Sequence, residues 1–244
     1  MDDLFNSIFK RKSTRQYDMT PLSAALITEI KAFADVLKPL YENIKVEYEI
    51  VEDVKNIMPV KAPHYFIISS EKKEGYLTNV GFMFQQMDLF LSNKELGSCW
   101  LGMARPTKKL DPKLELDTKL EFVIVMAFGK ATGSPYRELS EFKRKPLSEI
   151  SDGKDTRLEC AKLSPSASNT QNWFFKIDNN KIHCYQKKLN PLQSIMYDKM
   201  NKLDMGLAIC HLYIATEHEG KRFLFTQDKN SKELTGHTYI GTVE

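Results

Sequence analysis

The sequence predicts an α+β fold made of two tandem half-domains, each an antiparallel sheet packed on a long central helix. Three observations carry that expectation. Two long helical stretches, Gly75 to Glu95 and Lys202 to Glu219, each follow two strand patterns and precede further strand. Segment 87–101 overlays 210–224 when Gly220 is set on Gly97, which brings Leu89 onto Leu212, Phe90 onto Tyr213 and Leu91 onto Ile214. Between the halves lies the Gly/Ser/Pro- and charge-rich run GKATGSPYRELSEFKRKP (129–146), which places them at 1–132 and 133–244.

Each element has its own local reason. Asp2 or Asp3 can cap a short helix carrying Leu4, Phe5, Ile8 and Phe9 on one face. A basic turn, RKSTRQYD (11–18), follows at the surface. Thr20 and Pro21 read as N-cap and first residue of a helix running to about Lys38. VEYEIV (46–51) alternates as a strand, and APHYFIIS (62–69) is a more buried one. The helix Gly75–Glu95 is apolar nearly all round, which marks a core or interface helix, and Leu96-Gly97 stops it. EFVIVMAFG (121–129) is a buried strand. In the second half, Thr156 to Leu163 is helical. WFFKI (173–177) and KIHCYQK (181–187) are strands joined by the turn Asp178-Asn179-Asn180. The helix from Lys202 ends at Gly220, and RFLFT (222–226) and TYIGTV (238–243) complete the sheet.

Bulk properties exclude several classes. The length of 244 residues allows one large domain or two small ones, and 42% hydrophobic with 27% charged residues is an ordinary globular balance. A net charge of +3 is too mild to favour nucleic acid or a membrane surface. No apolar run reaches the roughly 18 residues of a membrane span. The acidic opening MDDLFNSIFKRK has no apolar signal core, so secretion is not expected. Four cysteines without CxxC spacing read as free thiols in a reducing cytoplasm. The five histidines show no ligand spacing with them, so no metal site is expected. His211 and His218 can share a helix face, where they read as packing or solvent residues.

Three segments can carry chemistry. Arg11, Lys12, Ser13, Thr14 and Arg15 put two guanidiniums, an ammonium and two hydroxyls into one turn, which suits a phosphate. The same turn can equally be a solvated helix end complementing the helix dipole. SPSASNTQ (164–171) offers uncharged donors and acceptors that suit a heteroaromatic edge or a polyol, or that cap the loop's own backbone. GSCWLG (97–102) lets backbone approach a ligand closely, though a helix C-cap also explains Gly97.

Together these segments resemble the FMN-dependent nitroreductase family, in its tandem-repeat, single-chain branch. RKSTRQYD is similar to the family's R-x-S-x-R/K turn, and PSASNTQNW (165–173) to its PSxxNxQPW loop. LGSCWLG resembles the GLGxxW-type segment after the long helix, and VMAFG…RKPL the last core strand and basic tail. The order departs from the family, because the PSxxN-like loop lies in the second half. The corresponding early place, around VLKPLYENIKVEYEIV (36–51), has none, and the second half has GKRFLF in place of GSCWLG.

The resemblance implies that ordinary members are two-fold dimers holding FMN at the interface, with the basic turn from one subunit and the PSxxN loop from the other. A fused and differently trimmed dimer would keep one complete site per chain, in a monomer with an internal pseudo-two-fold. Arg11, Lys12, Ser13 and Arg15 would hold phosphate and ribityl, with Arg144 adding charge. Pro165, Ser166, Ala167 and Asn169 would line the flavin, Leu101 and Gly102 would face its reactive nitrogen, and Gln171 and Trp173 would anchor the loop. NAD(P)H would reduce the flavin, and a nitro compound, quinone or similar small acceptor would reoxidise it in ping-pong fashion. No catalytic side chain is assigned. A flavin-binding protein without its own turnover, or a pseudo-dimer without ligand, stays open.

Overall fold

A computed structural model of the chain describes residues 1–107, 120–227 and 233–244. The first half runs α1 (Asp2–Ile8), α2 (Ala24–Ala34), β1 (Val46–Val51), β2 (His64–Glu71), α3 (Tyr76–Asn93), β3 (Gly97–Leu101) and β4 (Leu120–Gly129). The second runs α4 (Leu147–Ile150), β5 (Ser151–Asp152), α5 (Leu158–Lys162), β6 (Trp173–Asp178), β7 (Lys181–Lys187), α6 (Pro191–His218), β8 (Phe225–Thr226) and β9 (His237–Val243). The sheets have the same plan. Strand order β1-β2-β4-β3 in the first is repeated as β6-β7-β9-β8 in the second, antiparallel throughout, with β5 added in parallel beside β6. Among the described residues, no helix is long and apolar enough to cross a membrane.

The helix ends give the register of the repeat. Glu95 ends α3 in the left-handed region (φ 60°), and the Leu96 N–H reaches back to the Leu91 carbonyl at 2.9 Å. Gly220 ends α6 the same way (φ 73°), with the Lys221 N–H on the Thr216 carbonyl at 3.1 Å. Gly220 therefore matches Glu95, two positions before Gly97. Gly97 is not the helix stop; it begins β3, with the Thr14 side chain packed against it. The glycine nearest the helix end in sequence is Gly97, whereas the hydrogen-bonding pattern that ends the helix falls on a glutamate.

In this register α3 and α6 cross through reciprocal contacts. Gly81 lies against the backbone carbonyl of Leu203 and the side chain of Leu207. Gly206 lies against the backbone of the matching residues, Thr78 and Phe82. The Thr78 hydroxyl donates to the Lys202 carbonyl at 3.1 Å across the crossing. A side chain at either glycine would hold the helices apart. The halves also exchange apolar surface. Ile8 of α1, with Phe82 and Leu89 of α3, packs into the second half's core around Trp173, Phe175, Cys184 and Ile209. The first half's own core joins Ile30, Phe66, Ile68, Phe84, Met87 and Phe128.

Local expectations fail where tertiary partners compete. α2 begins at Ala24 and ends at Ala34, with Ser23 as its cap accepting the Leu26 N–H at 3.3 Å. Thr20 does not cap it. The Thr20 N–H goes to Asp18 at 2.9 Å and the Leu22 N–H to His64 Nε2 at 2.9 Å, which holds this stretch extended against β2. Neither Asp2 nor Asp3 caps α1, because both already lie inside its first turn. α6 begins at Pro191, well before Lys202.

Gly206→Val should lower unfolding stability by about 2–3 kcal/mol, since the new side chain meets backbone at the crossing. Gly133→Val, at a position with nothing within 4 Å of an added Cβ, should leave the urea midpoint unchanged and serves as the control.

Candidate functional site

The basic turn enters the protein instead of lying on it. Arg11 pairs with Tyr136 in an isolated β-bridge and Ser13 with Ser98. Arg11 is only 1% exposed, contrary to a surface turn. Its Nε forms an ion pair with Asp88 of α3 at 2.9 Å, and its Nη2 donates to the Ser13 hydroxyl at 3.2 Å. Its Nη1 is buried without a partner.

Asp88 belongs to a network that crosses between the halves. It accepts from the Ser98 hydroxyl and from Gln85 Nε2, the latter at 2.9 Å. Gln85 Nε2 also lies 3.2 Å from His211 Nε2, and His211 Nδ1 is 2.8 Å from the Cys160 carbonyl. A carbonyl only accepts, so Nδ1 carries the proton and Nε2 accepts from Gln85. Burial pushes the His211 pKa down to about 3, with the Arg11 and Arg144 charges adding to it, so the ring is neutral. His218, by contrast, is near the surface, 2.9 Å from Asp2 and stacked on Phe5.

The PSASN loop is built on the same tail that carries Arg144. Arg144 Nη1 donates to Asn169 Oδ1 at 2.8 Å and Nη2 to the Leu163 carbonyl at 3.3 Å. Asn169 Nδ2 donates to the Lys143 carbonyl at 2.8 Å, and the Lys145 N–H donates to Gln171 Oε1 at 2.7 Å. The Gln171 N–H donates to the Ser166 hydroxyl at 3.0 Å. Trp173 is 1% exposed in the core. Gln171 and Trp173 thus anchor the loop, as expected. Ser168, Asn169 and Gln171 have φ of 50°, 57° and 49°, left-handed positions on either side of a right-handed Thr170 that these bonds hold in place. Beneath the loop, buried Asp204 accepts the Ala167 N–H at 3.0 Å. Burial raises the Asp204 pKa to about 8, against the Ala167 N–H bond, which favours the charged form.

Turn and loop meet through arginines. Arg137, which sequence reasoning missed, donates its backbone N–H to the Lys10 carbonyl at 2.8 Å. Its guanidinium lies 4.9 Å from the Phe142 ring centre, and that of Arg144 lies 5.5 Å from the same centre. Burial, then Arg11 and Arg137, push the Arg144 pKa down to about 10; burial, then Arg11, lower that of Arg137. Arg11 Nη1, Arg137 Nε and Arg144 Nε are all buried without a partner. Such a group of orphaned donors fits a phosphate. Two signals could have found the missed residues: Arg137 sits in the same charge-rich run as Arg144, and Asp88 is the one acid in the apolar stretch of α3.

The other residues singled out from sequence lie around this cluster. Lys12 and Ser13 are half-buried, Pro165 is buried, and Ser166 and Ala167 are half-buried. Arg15 is exposed and lines a hollow of about 600 Å³ with Tyr17, Met58 and Tyr65. Leu101 is buried at the end of β3, and a Cβ on Gly102 would stand 3.0 Å from Met200 Sδ of α6, so this backbone faces the second half. A second hollow, of about 670 Å³ between α2 and β1, is lined by none of these residues.

The symmetry-related place is closed. There the Leu40 and Tyr41 N–H groups donate to Asn79 at 2.8 and 2.9 Å, as Ala167 does to Asp204. Gln227, in the position of Gly102, donates to the Tyr41 hydroxyl at 3.1 Å, and Phe225 packs edge-on against Tyr41. Large side chains thus touch where the first site has Gly102 and small loop residues.

Two predictions follow from the buried charges. Arg11→Ala should cost about 3–5 kcal/mol by stranding Asp88, and Asp88→Asn in the same chain should restore much of it; urea titration reads both. A carboxyl with a raised folded pKa contributes stability that is full below about pH 4 and is lost as pH rises to about 8. Asp204→Asn should therefore gain on wild type by about 1.4 kcal/mol per pH unit across that window and then level off. A difference that stays flat from pH 4 to 8 contradicts the assignment.

The sequence profile of a family described as "Putative TM nitroreductase" matches residues 3–216. A "putative nitroreductase" of Thermotoga maritima has a similar structure, with TM-score 0.66 and 18% identity, covering 98% of this chain and 91% of that one. A nitroreductase family protein of Clostridium difficile gives TM-score 0.49 at 18% identity, over 63% of this chain and 98% of its own. A nitroreductase with bound FMN from Desulfitobacterium hafniense gives TM-score 0.49 at 11% identity, over 63% and 100%. No curated protein matches the sequence.

Proposed function

The chain belongs to the nitroreductase family whose profile spans residues 3–216, and from that premise we propose that it is an FMN-dependent oxidoreductase. It takes reducing equivalents from NAD(P)H and delivers them to nitro compounds, quinones or similar small acceptors in ping-pong order. The observation that carries this reading is that Arg144 holds Asn169 of the PSASN loop and stands close enough to Arg11 for their charges to interact, with a buried guanidinium N–H that lacks an acceptor on each arginine.

The residues divide the work as follows. Arg11, Arg15, Arg144, Lys12 and Ser13 supply donors for the FMN phosphate and ribityl chain. Asp88 fixes the Arg11 plane by its ion pair. Pro165, Ser166, Ala167 and Asn169 present a small, uncharged wall to the ring, and the stiff loop backbone sets where that wall stands. The backbone at Leu101 and Gly102, backed by Met200, forms the opposite side. When bound, FMN supplies the two-electron chemistry itself, so the protein's part is to hold, orient and enclose it.

One site per chain is proposed, because the symmetry-related place is filled by Tyr41, Phe225 and Gln227. The chain then works as a monomer that imitates a dimer. Four buried free thiols support a reducing compartment such as the cytoplasm.

The test is the visible spectrum of the protein reconstituted with FMN and desalted, followed by an NAD(P)H titration under nitrogen. One flavin per chain, bleached by NAD(P)H and restored by a quinone or nitroaromatic, is the expected result. Two flavins per chain would refute the single site. A bound flavin that NAD(P)H leaves oxidised would mark a flavin-binding protein without turnover.

A further inference from the structure

Arg11, Arg137 and Arg144 stand close enough to act on one another's charge, and each keeps a buried N–H without an acceptor. We propose that Arg137 is the third arm of a clamp for a phosphate monoester dianion, and that it makes this site prefer FMN to riboflavin. The proposal rests on the flavin reading above.

Charge matching leads to it. Arg11 is neutralised by Asp88. Among the described residues Arg144 and Arg137 have no such ion pair; the Glu141 carboxylate acts on the Arg137 charge, but it accepts the Glu138 N–H at 2.6 Å. Two guanidiniums without an ion pair match a phosphate monoester, which carries about −1.5 to −2 charges at neutral pH.

Geometry agrees. Asn169 and the Leu163 carbonyl occupy the Nη1 and Nη2 groups of Arg144, which leaves its Nε donor over. The Phe142 ring lies beside both Arg137 and Arg144 and stabilises their charge without using an N–H. The backbone bond from Arg137 to Lys10 ties this arm to the end of α1, one residue before Arg11. Mutual repulsion among the three cations is a standing cost of the free protein, and a bound dianion would turn it into attraction.

Binding of FMN and of riboflavin to wild type, Arg137→Gln and Arg137→Lys, measured by flavin fluorescence, tests this. Loss of one charge-assisted contact should weaken FMN by about 10- to 100-fold in Arg137→Gln and leave riboflavin within about twofold. Arg137→Lys, which keeps the charge but not the fork, should fall between and carries the comparison if the glutamine variant does not fold. Equal weakening of both flavins, or no change for FMN, overturns the clamp. Thermal stabilisation by inorganic phosphate is a second readout. If wild type binds neither flavin yet phosphate stabilises it in an Arg137-dependent way, the clamp holds and the flavin reading fails. If phosphate stabilises wild type and Arg137→Gln alike, Arg137 has no part in the site.

Discussion

The close crossing of α3 and α6 is the constraint on which the rest of the structure depends. Gly81 and Gly206 let each helix backbone touch the other, and the contacts are reciprocal. Helices that meet at this distance set the two sheets in a fixed relation. That relation places α1 in the second half's core and the 163–172 loop within reach of the first half's basic turn. Reciprocity also explains the paired sites: one crossing generates two equivalent positions. In this chain they differ in the loop and turn that border them and in the side chains that fill them. One has Gly102 and small loop residues, whereas at the other Gln227 donates to the Tyr41 hydroxyl.

The same crossing carries a buried polar network. Arg11, Asp88, Gln85 and His211 run from the basic turn to the Cys160 carbonyl, at the end of the helix that launches the loop. Each member uses its neighbour's donor or acceptor, so a change at one end strands a buried group further along. Arg11 is thus a structural residue as well as part of the proposed site. Asn79 and Asp204 show the complementary case. They occupy matching places and accept backbone N–H groups from matching loops, but one is a neutral amide and the other a titratable acid. The second half thus carries a titratable anchor where the first half has an amide.

Strands β1, β4, β6 and β7 were legible in the sequence nearly to the residue, because alternation or a continuous β-branched run reports a sheet environment directly. The PSASN loop and the basic turn were legible as polar clusters beside aromatic and apolar segments. The start of α2 was not, since Thr20-Pro21 is a sound local cap that loses to the Asp18 carboxylate and the His64 ring. The repeat was visible, but its register was off by two, because a left-handed glutamate carries no mark in sequence. Arg137 was passed over because a charged residue in a Gly/Ser/Pro-rich run looks like a solvated linker until its neighbours are known.

By itself the sequence determined the α+β class, the two-half plan, the residues of the basic turn and loop, and a family resemblance that the match over residues 3–216 bears out. Periodicity and motif spacing are local, so they survive without coordinates. Only the tertiary structure decided that Arg11 is buried against Asp88, that Arg137 joins it, and that the second place is shut. Those outcomes depend on which charges and rings approach across the α3–α6 crossing. Coulomb interaction and burial are set by distance in space, and separation along the chain does not encode it.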